Sequence, residues 1–533
     1  MEQTHAWWQK GVIYQVYPRS FLDHNGDGVG DLPGITQQLD YFRWLGVDAL
    51  WLSPIYPSPM ADFGYDISNY TDVYPLFGTL QDMDVLIAEA HQRQLKLILD
   101  FVPNHTSDEH PWFQESRSSR TNAKRDWYIW RDPAPDGGPP NNWFSLFGGS
   151  AWQFDAQTGQ YYFHQFDVKQ ADLNWRNPQV RTAMLDVLRF WLDRGIDGFR
   201  VDVLWLLLKD EQLRDNPLNP EWQPGDPPNA RQSMLYSEDQ PGIHDIVRSM
   251  RSLLDQYDER VLIGEIYLPL NRLVHYYGSQ LDEAHLPFNF QFVTAPTWDA
   301  QLISQMVNEY EALLPAGAWP NWVLGNHDRP RIATRIGRAQ SRVAHMLLLT
   351  LRGTPTCYYG DELGMQDVSI PTSLIRDPQG KDNPIHSRDP VRTPMQWNTS
   401  PNGGFCPPDA TPWLPLSPDY QEHNVATEQQ DPHSQLQLVQ NLLTLRRTLP
   451  ALAIGSYQGV VQDNPSCFVY LRQHDQQTLL IALNFSAQNQ IIRLPDQRQA
   501  NVICSTSLDR EGTLSLAEFH LRANEGLLLT IVP

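Results

Sequence analysis

Four carboxylates in this chain each follow a short apolar or aromatic run. Asp100 ends LKLILD, Asp202 ends GFRVD, Glu265 ends VLIGE and Asp328 ends NWVLGNHD. Short apolar runs of this kind are typical of buried parallel strands. Because the carboxyl ends of the strands of a barrel meet at one mouth, the four side chains are expected to lie together. Such a group can perform acid–base or nucleophilic chemistry on a polar, neutral substrate.

The run GFRVD also contains a cation at a useful spacing. Side chains alternate between the two faces of a strand, so Arg200 and Asp202 point the same way. A neighbouring guanidinium lowers the pKa of a carboxyl, so we expect Asp202 to be ionised, as a nucleophile must be. The alternative is a structural ion pair at the strand end.

Glu265 follows the apolar residues VLIG. Apolar surroundings raise the pKa of a carboxyl, which suits a general acid near neutral pH. An ionised carboxylate that faces a protonated one is the arrangement for cleaving a glycosidic bond. The alternative for Glu265 is an acidic residue in the first turn of the following helix.

Two histidines accompany these strands. His105 lies in DFVPNH and His327 lies in GNHD. Imidazole nitrogens can hydrogen-bond to sugar hydroxyls. No His-x-His or His-x₃-His pattern supports a catalytic metal. A structural role is the alternative for each histidine.

The loop DHNGDGVGD at 23–31 carries a separate pattern. Alternating oxygen ligands and a turn glycine match the first half of a calcium loop. The predicted ligands are Asp23, Asn25, Asp27, the Val29 carbonyl and Asp31. Gly34 stands where a calcium loop has its final glutamate, so a metal-free loop of Asx turns is the alternative.

Eight apolar runs alternate with helix-period stretches, which favours a (β/α)₈ TIM barrel. The predicted strands are 12–18, 48–54, 95–102, 198–203, 261–266, 285–290, 321–326 and 354–360. The predicted helices include 32–45, 80–94, 179–194, 242–257, 300–314, 338–351 and 434–449.

Two segments depart from this alternation. Residues 103–172 are rich in Pro, Gly, Asn and aromatic residues, and a segment that long is predicted to be a subdomain inserted after strand 3. Residues 456–533 change to short strands and predict a C-terminal antiparallel β domain. The barrel itself would comprise residues 1–102 and 173–455.

Composition limits the partners. The 533 residues carry a net charge of −22, which argues against nucleic acid and anionic membrane surfaces as partners. The four cysteines show no paired spacing, and no apolar stretch is long enough to span a membrane. We expect a cytoplasmic protein without an organic cofactor, and the oligomeric state stays open.

The blocks DFVPNH, GFRVDV, GEIY and GNHD, in this order, resemble the diagnostic blocks of the α-amylase family of glycoside hydrolases. The resemblance extends over nearly the whole chain, and MADFGYDISNY and RTPMQW resemble its exo-acting α-glucosidase and oligo-1,6-glucosidase branch. One departure is QADLN at 170–174, where that branch has QPDLN. Ala171 weakens the subgroup assignment but leaves the carboxylate and the amide in place.

The resemblance implies a role for each site residue. Asp202 would be the nucleophile, Glu265 the general acid/base and Asp328 the transition-state stabiliser. Asp62 and Arg392 would grip the far hydroxyls of a terminal glucose. The remaining substrate-binding residues would be Tyr65 as a stacking platform, His105, Phe147, Phe166, Arg200 and His327. In this branch the 23–31 loop holds calcium or magnesium structurally.

The implied activity is a retaining exo-acting α-glucosidase that releases glucose from isomaltose, maltose, sucrose or trehalose-type substrates. Val203, which follows the nucleophile, would accompany a preference for α-1,6 over α-1,4 linkages. One alternative is a glucosyl-transferring or isomerising relative, such as a trehalose synthase or sucrose isomerase. Another is a non-catalytic member, but those lose the carboxylates and carry a membrane span.

Overall fold

The computed structural model describes residues 5–226 and 228–532, and an eight-stranded parallel sheet forms its centre. The strands are β1 (Ile13–Val16), β2 (Ala49–Leu52), β3 (Lys96–Phe101), β4 (Gly198–Val201), β5 (Val261–Gly264), β6 (Leu286–Pro287), β7 (Asn321–Val323) and β8 (Thr354–Tyr358). Their spatial order is β6-β5-β4-β3-β2-β1-β8-β7, and all neighbours are parallel. Each strand lies within a predicted run, so the barrel prediction is confirmed.

Each predicted helical stretch contains a helix, with one difference, and further short helices lie outside the predicted stretches. They are Trp7–Lys10, Leu32–Gln37, Leu39–Leu45, Leu80–Gln92, Pro111–Ser118, Pro178–Asp193, Ile243–Leu254, Leu270–Leu273, Gln291–Thr294, Ala300–Leu313, Ile332–Ile336, Arg338–Thr350, Pro378–Asp382, Val425–Gln430, Gln435–Thr448 and Pro450–Ala453. The helix predicted over 32–45 is two helices, because Gln38 leaves helical geometry with φ −98° and ψ 10°. Within the described residues, no helix is both long and apolar enough to cross a membrane.

The alternation of side chains along the strands separates two cores. Residues such as Trp51, Ile98 and Ile263 form a cluster inside the barrel, whereas their neighbours pack outward against the helices. The inner row of β3 runs from Ile98 to Asp100, and the inner row of β5 continues past Ile263 to Glu265. The period of two therefore carries each inner row from an apolar interior to a polar mouth.

The barrel has one seam, between β6 and β7, where no backbone ladder forms among the described residues. Pro287 of β6 has no N–H to donate, so it cannot take part in a ladder as a donor. The Asn321 side chain bridges the gap instead: its Nδ2 donates to the Pro287 carbonyl, and its Oδ1 accepts from the Asn289 N–H at 2.9 Å. A side-chain amide thus replaces the missing strand pairing.

The segment between β3 and the helix before β4 forms two small antiparallel sheets. One pairs His105–Ser107 with Gln170–Asp172, and the other joins Trp130–Arg131, Gln160–Phe163 and Trp152–Asp155. Lys209, which follows β4, fastens this segment to the barrel. Its buried Nζ lies 2.6 Å from Asp172 Oδ2 and donates to Asn104 Oδ1 at 2.8 Å.

The last part of the chain is antiparallel. A six-stranded sheet contains Ser456–Gly459, Cys467–His474, Gln477–Asn484, Gly526–Ile531, Gln499–Ser505 and Thr513–Ser515, in this spatial order. The strands Gln490–Arg493 and Glu518–Leu521 form a second, two-stranded sheet.

Two fully buried arginines contact the end of a barrel helix, and one of them, Arg472, joins the six-stranded sheet to the barrel. Arg446 donates to the carbonyls of Leu349 and Leu351 at 3.2 Å, and Arg472 donates to that of Thr350 at 2.5 Å. These carbonyls lie where the helix Arg338–Thr350 ends and lacks internal partners. Burial lowers the pKa of Arg446 to about 10, and burial with the nearby Arg446 lowers the pKa of Arg472 to about 9.

We predict that Lys209→Met destabilises the protein strongly. The substitution leaves the Asp172 carboxylate buried without its cation, and breaking a buried pair in this way typically costs about 3–5 kcal/mol. The control is Lys124→Met, which removes a surface pair with Glu115 worth at most about 1 kcal/mol. Thermal unfolding of both variants tests this. Adding Asp172→Asn to the Lys209 variant should recover part of the loss, and equal melting temperatures for the two single variants would contradict the assignment.

Candidate active site

Arg200 lies at the centre of the barrel mouth and contacts three carboxyls. Its Nη1 lies 2.8 Å from Asp100 Oδ1 and 2.8 Å from Asp202 Oδ1, and its Nη2 lies 2.7 Å from Glu265 Oε2. The guanidinium is buried 5.0 Å from the centre of the Trp51 ring inside the barrel. The inner rows of β3, β4 and β5 therefore place the predicted carboxylates around one cation.

One guanidinium does not lower the pKa of every carboxyl that it contacts. Burial raises the pKa of Asp100 to about 6, against the effect of Arg200. Burial and the neighbouring Glu265 carboxyl raise the pKa of Asp202 well above its ordinary value, and Arg200 offsets only part of this. The expected lowering of the pKa of Asp202 by Arg200 is therefore outweighed, and this pKa is raised instead. The physical reason is that Arg200 is shared, while water is excluded.

A strained backbone supports Glu265. Val203 has φ 39° and ψ 46°, in the left-handed region that a β-branched residue rarely adopts. Its N–H donates to Glu265 Oε2 at 2.9 Å, on the oxygen that Arg200 also contacts. Backbone strain of this kind typically amounts to about 1–3 kcal/mol and is retained where the surroundings require it.

Asp328 has the opposite electrostatic environment from Asp202. Its Oδ1 lies 2.9 Å from Arg392 Nη2 and 3.3 Å from Arg388 Nη1. Burial would raise the pKa of Asp328, but His327 and the two guanidiniums outweigh it and lower the pKa below its ordinary value. Asp328 is therefore a stable negative charge, in contrast to Asp202, whose pKa is raised.

The two predicted histidines are neutral and oriented by hydrogen bonds. Burial lowers the pKa of His105 to about 4 and that of His327 to about 3. His327 bonds to Gln15 Nε2 and to the Tyr65 hydroxyl, both at 2.8 Å, and its ring stacks on that of Tyr65 with centroids 5.4 Å apart. The Tyr65 hydroxyl also donates to Asp100 Oδ2 at 3.1 Å. Neutral imidazoles can bind sugar hydroxyls without adding charge.

The resemblance implies that Asp62 acts together with Arg392, but in the structure Asp62 pairs with a different arginine. Its Oδ1 accepts from Arg388 Nη2 at 2.5 Å, and Arg388 is held in turn by Asp377 at 2.6 Å. Burial raises the pKa of Asp62 to about 6, opposed by Arg388. Arg392 is buried behind the site, where it donates to Asp328. The carboxylate–guanidinium clamp thus exists, with a different arginine in it.

These side chains line one cavity of about 460 Å³. Its walls are Asp62, Tyr65, His105, Leu146, Phe147, Phe166, Gln170, Asp202, Val203, Trp205, Met234, Glu238, Glu265, Tyr267, His327, Asp328, Arg329, Gln379 and Arg388. Phe147 and Phe166 lie edge to face with centroids 5.6 Å apart, and the Arg388 guanidinium lies 5.5 Å from the Phe147 ring centre. Apart from Arg200 and Arg392, which lie behind the wall, the predicted substrate-binding residues face this cavity.

Several wall residues were missed by the sequence analysis. Arg388 precedes the predicted Arg392 by four residues. The presence of a second arginine so close in the sequence was the signal that could have identified Arg388. Gln170, in the QADLN block, donates to Asp62 Oδ2 at 3.2 Å. Met234, Glu238, Tyr267 and Arg329 come from loops, Trp205 from the 3₁₀ turn Leu204–Leu206 and Gln379 from the short helix Pro378–Asp382, where no periodic pattern points to them.

The 23–31 loop lies apart from the cavity wall. Residues 5–226 and 228–532 contain no group of three or more His, Cys, Asp or Glu side chains that could hold a metal ion. Asp23 accepts from the N–H groups of Gly26 and Gly28 at 2.6 and 2.7 Å, and Asp31 caps the following helix at the Gly34 N–H. Asp23 and Asp31 are buried, and burial together with Asp23 raises the pKa of Asp31. The predicted cation site therefore stays a prediction.

Comparison with known proteins gives consistent matches. A family model described as alpha amylase, catalytic domain, matches residues 15–455. A probable alpha-glucosidase of Rhizobium meliloti is 42% identical, covering 93% of this chain and 93% of that protein. An oligo-1,6-glucosidase of Halalkalibacterium halodurans is 39% identical, covering 97% and 98%. The crystal structure of the alpha-glucosyl transfer enzyme XgtA superimposes with a TM-score of 0.93 at 41% identity, covering 99% of this chain and 100% of that one.

The two arginines near Asp62 and Asp328 should differ in kinetics. We predict that Arg388→Lys raises KM for an α-linked glucose disaccharide about tenfold with a smaller change in kcat, because the Asp62 clamp binds the ground state. Arg392→Lys should mainly lower kcat, because Arg392 orients the charge of Asp328. Steady-state kinetics of both variants show which arginine affects substrate binding and which affects kcat. The reverse pattern would restore Arg392 as the clamp residue.

Proposed function

Because this chain belongs to the α-amylase family of glycoside hydrolases, we propose that the cavity at its barrel mouth cleaves terminal α-glucosidic bonds with Asp202, Glu265 and Asp328. The chain is an exo-acting α-glucosidase. The observation that carries the catalytic assignment is the contact of one buried guanidinium with Asp202 and Glu265, beside the ionised Asp328.

The proposed reaction has two steps. Glu265 donates a proton to the glycosidic oxygen while a carboxylate oxygen of Asp202 attacks the anomeric carbon, which forms a covalent glucosyl ester and releases the leaving group. Glu265 then takes a proton from water, and the water oxygen displaces Asp202 and yields glucose with the α configuration. The negative charge of Asp328 stabilises the oxocarbenium-like transition states.

The raised pKa of Asp202 fits this sequence. Burial and the neighbouring Glu265 carboxyl raise the pKa of Asp202, and a glycosidase needs one proton on its carboxyl pair. For attack, that proton must reside on Glu265. Arg200 contacts both carboxyls, so it can support the shift of negative charge towards Asp202.

The walls support removal of single glucose units. Asp62 and Arg388 form an ion pair in the cavity wall, Asp377 holds Arg388, and such a network would close the pocket beyond one terminal sugar. A carboxylate–guanidinium pair presents acceptors and donors together, which suits vicinal hydroxyls. Val203 lines the same cavity. The prediction that Val203 favours isomaltose over maltose is kept, and a steric preference of this kind is worth only about 1–3 kcal/mol.

We predict net retention of configuration. With isomaltose, maltose, sucrose and trehalose as substrates, proton NMR should show α-glucose first and β-glucose only through mutarotation. The same panel gives the linkage preference. Asp202→Asn should reduce the rate by several orders of magnitude while the melting temperature stays close to that of the wild type. Early β-glucose, or near-normal activity of that variant, would be incompatible with Asp202 as nucleophile.

Glucosyl transfer or isomerisation is the second candidate. It uses the same covalent intermediate, which a sugar rather than water intercepts. The similarity to XgtA, a protein described as an alpha-glucosyl transfer enzyme, favours keeping it. Free glucose as the main product from sucrose supports hydrolysis, whereas rearranged disaccharides would support isomerisation.

A structural cation, calcium or magnesium, is proposed for the 23–31 loop. The support is that Asp23 and Asp31 are buried carboxylates, and within the described chain neither forms an ion pair with a basic side chain. Asn25, Asp27 and the Val29 carbonyl could complete an oxygen site. The loop packs against the 405–413 segment, where the Asp23 N–H donates to the Phe405 carbonyl at 2.9 Å. A cation there would stabilise the fold and take no part in the reaction.

We predict that chelator lowers the melting temperature and that calcium restores it, because a ligand of the folded state stabilises by mass action. Asp23→Asn should reduce the response to calcium, and elemental analysis of the untreated protein gives the identity of the metal. The matched control is Asp186→Asn, which changes an exposed carboxylate on a helix. No bound metal together with no calcium response would leave the loop as a set of Asx turns.

A further inference from the structure

The cavity has two unlike halves. The half between Asp62 and Asp328 is closed by ion pairs. The other part of the wall, here called the outer half, contains Trp205, Glu238, Tyr267 and Arg329, which are linked by contacts of Trp205 with Tyr267 and Glu238 and of Arg329 with Tyr267. In the proposed reaction the leaving group departs beside Glu265, so this outer half would receive it. Tyr267 follows Glu265 by two residues and Arg329 follows Asp328 directly, which places both beside reacting carboxyls.

Arg329 differs from the other arginines of the site. Arg200, Arg388 and Arg392 are each held by carboxylates. Arg329 is exposed, and in the described part of the chain it makes no hydrogen bond or ion pair. Its guanidinium lies 5.9 Å from the centre of the Tyr267 ring. All five N–H donors of this side chain are therefore available to a bound molecule.

Tyr267 offers a fixed flat surface next to these donors. Its ring stacks on Phe290 with centroids 4.3 Å apart and an angle of 5° between the planes. Because one face of Tyr267 is covered by Phe290, the ring cannot turn freely. An aromatic face beside a guanidinium suits a sugar, which presents C–H groups and pairs of hydroxyls in one molecule.

We propose that Arg329 and Tyr267 form the binding site for a sugar leaving group, with Arg329 donating to two adjacent hydroxyls and Tyr267 packing on the C–H face. This inference rests on the proposed α-glucosidase function and names its substrate class: glucosides of neutral sugars, rather than of aryl or alkyl alcohols. The same contacts would hold an acceptor sugar in a transfer reaction.

The charges of the outer half favour a neutral sugar over an anionic leaving group. Glu238 lies on the same wall, where it accepts from Trp205 Nε1 and from Arg272 Nη1, both at 3.3 Å. Glu265 and Asp328 are also adjacent. An anionic leaving group would meet these carboxylates in a chain with a net charge of −22.

The test compares Arg329→Gln, Arg329→Lys and the wild type on a glucose disaccharide and on p-nitrophenyl α-glucoside. Arg329→Gln should lower kcat/KM for the disaccharide about tenfold and leave the aryl glucoside within about twofold, because only the sugar offers paired hydroxyls. Arg329→Lys should behave like the Gln variant, since a lysine lacks the fork. The matched control is Arg493→Gln, an exposed arginine of the C-terminal region, which should change neither substrate.

The outcomes separate this inference from the function itself. Equal losses on both substrates would mean that Arg329 acts through Asp328, and unchanged kinetics on both would remove it from the site. The wild type could instead prefer a glucoside with a carboxylate or phosphate on its leaving group, and the Gln variant could lose this preference. That result would mean that Arg329 binds an anionic leaving group, and it would overturn the proposal of a neutral sugar. A wild-type enzyme that cleaves no α-glucoside would refute the proposed function instead.

Discussion

The need to keep one buried guanidinium in place organises the catalytic end of this molecule. An ion removed from water is stable only if its donors are satisfied, and Arg200 meets this need with carboxyls from three neighbouring strands. The Trp51 ring beneath it excludes water from the barrel interior. Since three carboxyls share one cation, their pKa values cannot all stay low. The pKa values of these carboxyls therefore follow from the way in which they pack around Arg200.

The surroundings of Arg200 divide the cavity into regions with different electrostatics. Asp328 has two guanidiniums of its own and stays ionised, whereas Asp202 shares its cation and has a raised pKa. The insertion after β3 adds a wall that Lys209 ties to the barrel through Asp172. Placement of a sugar, protonation of its bond and exclusion of water are thus tasks of separate elements that meet at one mouth.

Much of the fold was predictable, because apolar strand runs and helical periodicity are local signals. The gathering of the carboxylates at the barrel mouth was predictable too, since each ends such a run. The partner of Asp62 was not: Arg388 and Arg392 are four residues apart in an irregular loop, and no period gives the direction of either side chain. The raised pKa of Asp202 depends on three strands at once. The seam closed by Asn321 depends on a proline in the neighbouring strand, which no single segment reveals.

Two buried arginines without acidic partners, Arg446 and Arg472, have a consequence for the chain as a whole. Arg472 belongs to the C-terminal sheet, yet its donors serve a carbonyl at the end of a barrel helix. Arg446 serves neighbouring carbonyls from the barrel side. A chain truncated before residue 456 would lose the donors of Arg472 and expose the apolar surface under the sheet. The sheet is therefore an integral part of the catalytic unit, and expression of the barrel alone is expected to give an aggregating product.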